Sequence, residues 1–156
     1  MLISVVITRA NSETPSEEVT LFDDAKNIFI LDESNFDQYV YEPNTRWVVT
    51  FYAEWCGWSK RFAPELKLAS SQLKDTVNLG VVNCAEHRQL KKRFKVNRYP
   101  TIFMIDGEGA ENQQTYNGPR TEESLVAAVH KKFKDLEDNV DTNMLQEEGN
   151  VSSYED

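Results

Sequence analysis

The stretch Phe51–Lys60, FYAEWCGWSK, decides how the rest of the chain is read. It closes an apolar run, RWVVTFYA (Arg46–Ala53), rich in β-branched and aromatic residues, the pattern of a strand buried on both faces of a sheet. Beyond it Phe62, Leu66, Ala69 and Leu73 recur at helical spacing, with Lys60, Arg61, Lys67 and Lys74 able to face solvent. Cys56 therefore stands where a central strand ends and a helix begins. Its sulfur meets unpaired N–H groups and the positive end of the helix dipole, a setting that brings cysteine pKa values from ~8.5 down to about 3.5–7.5 and makes the thiol a nucleophile. Three residues on, where dithiol chemistry needs a second thiol, stands Ser59. Pro64 is expected to kink the helix.

Outward from this stretch the pattern alternates. NIFIL (Asn27–Leu31) reads as a short strand and SNFDQYV as a helix capped by Ser34. VNLGVVNC (Val77–Cys84) is a strand, HRQLKKRFKV a basic amphipathic helix, TIFMI a strand, and QQTYNG a shorter one after the turn DGEG. A last helix starts at Thr121, with Glu122 and Glu123 in its first turn and Leu125, Val129 and Phe133 on one face. The order β-α-β-α-β-α-β-β-α, parallel crossovers followed by a hairpin, gives a three-layer α/β/α domain with a central mixed β-sheet.

The flanks differ in composition. Residues 1–26 form an N-terminal leader whose start, MLISVVITRANS, is open between a signal remnant, a first strand and a disordered leader. Residues 27–134 form the domain, and 135–156 an acidic tail with too little apolar surface to offset the entropy of ordering. The 156 residues carry a formal net charge of -9, which argues against nucleic acid or an anionic membrane as partner. No run approaches the ~18 apolar residues of a membrane span. Cys56 and Cys84 are the two cysteines, too few for a disulfide scaffold and without metal-ligand spacing. No phosphate-binding Gly-rich loop is present, so neither metal nor bound cofactor is expected. His87 and His130 read as surface residues, and the basic run HRQLKKRFK as a solvated helix face.

Together FYAEWCGWSKRFAPEL, VNC, RYPTIFMI and YNGPRTEESLVAAV resemble one thioredoxin-like domain of the protein disulfide isomerase family. The resemblance implies the thioredoxin fold, a cis peptide bond before Pro100, and a Tyr99-Pro100 loop facing Cys56 so that the Tyr99 backbone pairs with an extended substrate. Trp55, Gly57 and Trp58 then belong to the substrate face, and Arg120 matches a family arginine that approaches the active site. Thr50 stands where dithiol members keep a buried acid. Cys84 matches a position whose family partner falls on Lys91 here, leaving Cys84 as a buried free thiol.

These departures shape the expected function. With Ser59 in place of a resolving cysteine, Cys56 has no motif partner and cannot pass two electrons by itself. Ser59 can still hydrogen-bond the thiolate. One reading is thiol-disulfide exchange on cysteine-containing protein substrates through the single nucleophile Cys56, with glutathione as a further partner. A second is a mixed-disulfide chaperone or retention protein without turnover. A third has Ser59 as an engineered replacement in a dithiol oxidoreductase, toward which Arg120 leans and from which Thr50 leans away. The family places its members in the endoplasmic reticulum lumen or secretory pathway, where disulfides form. Asn150-Val151-Ser152 fits a glycosylation acceptor pattern.

Overall fold

The computed structural model describes residues 20–107 and 112–134. The expectations for the extreme N-terminus, for part of the DGEG turn, for the acidic tail and for Asn150 lie outside these residues.

Among the described residues, five strands and four helices follow the expected order. They are β1 (Ile28–Ile30), α1 (Phe36–Val40), β2 (Arg46–Tyr52), α2 (Gly57–Leu73), β3 (Asn78–Asn83), α3 (Arg88–Arg93), β4 (Thr101–Asp106) and β5 (Gln113–Tyr116), with α4 over 122–134. The sheet runs β1-β3-β2-β4-β5. β3 pairs parallel with β1 and β2, whereas β4 runs antiparallel to both β2 and β5. The continuous apolar run thus becomes the middle strand, because only a strand flanked on both edges and covered on both faces can bury every residue from Trp47 to Tyr52.

Alternation along β2 divides the core. Val48 and Tyr52 pack with Phe62, Leu66, Ala69 and Leu73 of α2 and with Leu125, Val129 and Phe133 of α4. Trp47, Val49 and Phe51 pack on the other face with Phe36 and Val40 of α1 and Leu90 of α3. Each such apolar side chain contributes about 1.5–3 kcal/mol by burial, so the i, i+4 stripe of α2 fixes that helix on the sheet. Gly80 lies where β3 is approached most closely: a Cβ there would sit 2.4 Å from Leu31 Cδ1.

Two local readings change. The helix after β1 is not capped by Ser34. Its N-cap is Asn35, and the Asp32 carboxylate accepts from the N–H groups of Ser34 at 2.8 Å and Asn35 at 3.1 Å. The folded unit also reaches further back than residue 27. Phe22 is 1% exposed and meets Tyr52 edge-on at 4.8 Å, while the Leu21 N–H donates to the Glu54 carboxylate. Leu21 and Ala25 pack against the same core, and the Lys67–Asp24 ion pair adds a further tie to α2.

The last helix starts as its sequence suggests. Thr121 Oγ1 accepts from the Ser124 N–H at 3.3 Å, and Glu65 of α2 adds a carboxylate on the Glu122 N–H at 2.7 Å. α2 continues across Pro64 as one helix, although that residue has no N–H for the Lys60 carbonyl.

Candidate functional site: the thiol at the α2 N-terminus

Cys56 is the N-cap of α2, with extended backbone at φ -81°, ψ 122°. Its N–H donates to the Ala53 carbonyl at 3.1 Å, and its own carbonyl accepts the first helical bond from Lys60 at 3.0 Å. The turn between β2 and α2 is closed by these bonds, which leave the sulfur half-exposed at the helix end.

The surroundings favour thiolate. The Ser59 N–H is the largest influence, and the Trp58 N–H and Ser59 hydroxyl add to it; together they outweigh partial desolvation and hold the Cys56 thiol below its ordinary range. None of these N–H groups closes a full capping hydrogen bond to sulfur, so their effect is that of dipoles aimed at it. The first turn of α2 has no acidic residue to compete for that field.

Ser59 is 1% exposed. Its oxygen accepts the Ala53 N–H at 3.3 Å, which leaves its O–H to point at Cys56. The position three residues after Cys56 is thus occupied by a hydroxyl that the fold uses.

The second wall comes from far along the chain. Just past the Phe94 C-cap of α3, Lys95 takes the left-handed region at φ 53°, and the Val96 N–H returns to the Lys91 carbonyl at 3.0 Å. The chain then runs into the cis Tyr99–Pro100 bond, in keeping with the family resemblance. The Tyr99 carbonyl accepts from the Cys56 thiol at 3.8 Å. Trp55 meets the Tyr99 ring edge-on at 5.8 Å.

Trp55 and Trp58 are 70% and 66% exposed, so neither is a core aromatic. Gly57 is exposed, and a Cβ built on it meets nothing within 4 Å. Folding does not demand glycine there, and the approach to sulfur stays open on that side. Arg120 donates to the carbonyls of Tyr116 at 3.1 Å and Gly118 at 2.9 Å and lies over the Tyr116 ring. It makes no bond to Cys56, but it borders a groove of about 590 Å³ with Trp58, Tyr99 and Pro100. Gly118 permits this arrangement, since a Cβ there would strike the Tyr116 hydroxyl at 2.6 Å.

Thr50 is fully buried, paired in register with Val81 and Ile102, and its hydroxyl has no partner among the described residues. Cys84 is buried too, and burial pushes its thiol up to about 11. His87 is not a bare surface residue: its Nδ1 lies 2.5 Å from Glu33. No helix among the described residues is long and apolar enough to cross a membrane, and none of their His, Cys, Asp and Glu side chains cluster to hold a metal.

Sequence reading missed three residues of the groove, Arg61, Phe62 and Arg98. Arg61 and Phe62 were visible only as solvent-facing and core-facing helix residues, and Arg98 had no signal beyond its place beside Tyr99.

Among the known proteins similar to this chain are several named protein disulfide-isomerases. Protein disulfide-isomerase A6 of Mesocricetus auratus is 36% identical over 116 residues, 74% of this chain and 26% of that protein. Protein disulfide-isomerase like 2-2 of Arabidopsis thaliana is 42% identical over 95 residues, 61% of this chain and 21% of that protein. The chain spans about a quarter of the length of these curated relatives. The solved J-Trx1 fragment of ERdj5 superposes with a TM-score of 0.68 at 31% identity, covering 73% of this chain and 55% of that one. The thioredoxin family matches residues 27–131, the same span that carries the sheet, the Cys56 turn and the Tyr99–Pro100 loop, and the chain belongs to that family, with protein disulfide isomerases among its relatives.

Proposed function

We propose that the domain carries out thiol-disulfide exchange on cysteine-containing protein substrates with Cys56 as its one nucleophile, in the manner of a monothiol disulfide isomerase. The observation that carries this reading is the pairing of an activated, half-exposed Cys56 with a buried Ser59 at the resolving position.

The Cys56 thiolate attacks one sulfur of a substrate disulfide. A bond forms between Cys56 and that sulfur, the substrate S–S bond breaks, and the other sulfur leaves as thiolate and takes a proton from solvent. Another substrate thiolate, or glutathione, then attacks the mixed disulfide and frees Cys56. When both thiols belong to the same substrate, its overall oxidation state is unchanged. The Tyr99 backbone beside Pro100 pairs with the substrate as an added strand, and Trp55 and Trp58 flank it. Arg120 borders the same groove, its side chain held by the Tyr116 and Gly118 carbonyls. The likeness to protein disulfide isomerases supports the endoplasmic reticulum lumen or secretory pathway as the site of this work.

A second reading takes the mixed disulfide as the product, so that the domain retains a client. It is favoured by the burial of Cys84, the other cysteine of this chain, which keeps that thiol from reaching an adduct on Cys56.

Mass spectrometry after mixing with a neutral peptide disulfide tests both. An adduct on Cys56 that persists until external thiol is added supports the exchange site, and a Ser59→Cys protein should release the same peptide quickly by internal attack. Equally fast release from both proteins removes Ser59 from its role. Rearrangement of a scrambled substrate in glutathione buffer then separates isomerase from retention.

A further inference from the structure

The chain has a formal net charge of -9, yet the groove beside Cys56 gathers three guanidinium groups, Arg61, Arg98 and Arg120. None of the three makes an ion pair among the described residues, although Lys67, Arg93 and His87 elsewhere each do. Arg61 lies 5.1 Å over the Trp58 ring, and Arg120 is spent on two backbone carbonyls. Both neutral arrangements fix the side chains and leave their positive charge uncompensated. On the far side of Tyr99 a second cleft, about 430 Å³, adds Arg88 and Lys91 beside Trp55, with Lys91 Nζ 5.4 Å from the Tyr99 ring centre. Cations therefore flank the reactive sulfur on both sides of the loop.

Like charges held together without counter-charge are costly, and a concave site lined by one sign concentrates field and draws in the opposite sign. We propose that this groove selects cysteine-containing protein segments that carry aspartate or glutamate close to the cysteine. The inference rests on the exchange reading of Cys56 and adds a substrate class to it. A polypeptide fits better than a small acidic thiol, because the exposed indoles of Trp55 and Trp58 extend the apolar surface to both sides of the sulfur. Arginine suits this task, since its fork meets a carboxylate with two parallel hydrogen bonds while the face stays stacked on an aromatic ring.

The covalent step is the exchange already described, with the peptide sulfur joined to Cys56 and a leaving thiolate released. Peptides of one length, each carrying a single cysteine activated as a mixed disulfide with a chromogenic thiol, provide the assay in acidic, neutral and basic versions. Release of the chromogenic thiolate gives the rate. Although the whole protein is negative, the acidic peptide should react about tenfold faster than the basic one at low salt, and the ratio should shrink toward one at about 1 M salt. Arg98→Glu and Arg61→Glu, both exposed positions, should each lower or invert the ratio, while Lys74→Glu at the far end of α2 should leave it unchanged.

Equal rates for the three peptides, or a preference lost as fully in Lys74→Glu as in the groove variants, overturns the selectivity and leaves the exchange reading standing. Absence of reaction with every peptide overturns both. Glutathione disulfide outpacing the acidic peptide at equal concentration, with that advantage lost in Arg98→Glu, assigns the groove to a small acidic thiol and overturns the protein-segment proposal.

Discussion

The Ser59 oxygen accepts the Ala53 N–H at 3.3 Å, tying the first turn of α2 to the end of β2 beside Cys56. Ser59→Ala breaks that tie and removes the hydroxyl that faces Cys56. Stability should fall by about 1–2 kcal/mol, since a buried N–H loses its partner. The midpoint of Cys56 alkylation against pH should rise, yet stay below that of an ordinary cysteine, because the Ser59 N–H remains as the largest stabilising influence. An unchanged midpoint would remove the hydroxyl from the electrostatics of the site.

Cys56 and Cys84 should separate sharply in reactivity. Cys56 is half-exposed with a lowered pKa, and Cys84 is buried with its thiol pushed up to about 11. At neutral pH iodoacetamide should modify Cys56 faster by on the order of a hundredfold or more, because thiolate fraction and access both favour it. Peptide mapping of a time course measures the ratio, and comparable rates would contradict the assignment of the nucleophile.

The same thiol, Cys84, should make the fold alkali-sensitive. From about pH 8.5 the unfolded chain releases this proton while the folded one keeps it until about 11, so stability falls as pH rises through that window. The loss by pH 10 is about 2 kcal/mol at most. Cys56 acts in the opposite sense: its contribution is complete above about pH 8.5 and is lost as pH falls through its lowered folded value. Burial also raises Tyr52, which enters only above about pH 10. Urea unfolding of the wild type and of Cys84→Ala between pH 8 and 10 should give curves that converge with rising pH.

Thr50→Val should raise stability by about 1 kcal/mol. The hydroxyl is buried without a partner among the described residues, so replacing it with a methyl group removes a desolvation cost at nearly constant shape. A loss of stability in urea titration would mean that the hydroxyl is satisfied by a water.

Phe22→Ala should destabilise the domain by about 3 kcal/mol, the usual cost of deleting a buried phenylalanine. Its ring is 1% exposed against Tyr52, and a loss under about 0.5 kcal/mol would return residues 20–26 to the leader.

Much of the fold was readable because its signals are local. The run of apolar residues in β2 dictated a middle strand, and Phe62, Leu66, Ala69 and Leu73 dictated which face of α2 is buried, since periodicity converts directly into geometry. The junction between the two placed Cys56 at a helix N-terminus before any contact was known. Capping showed the limit of this approach at short range: Thr121 behaved as its type suggests, but Asp32 displaced Ser34 because a carboxylate two residues earlier already held the donors of that turn.

By itself the sequence determined the alternation of elements, the buried faces and the chemistry available at position 56. The family resemblance added the Tyr99-Pro100 loop facing that sulfur, and only the tertiary structure decided the contacts around it. The Tyr99 carbonyl reaches Cys56 from 43 residues away, and Arg61, Arg98 and Arg120 meet in one groove, though they come from a helix, a loop and the approach to α4. Sheet register and crossover packing set such encounters, and no period along the chain encodes which loop will face which helix end.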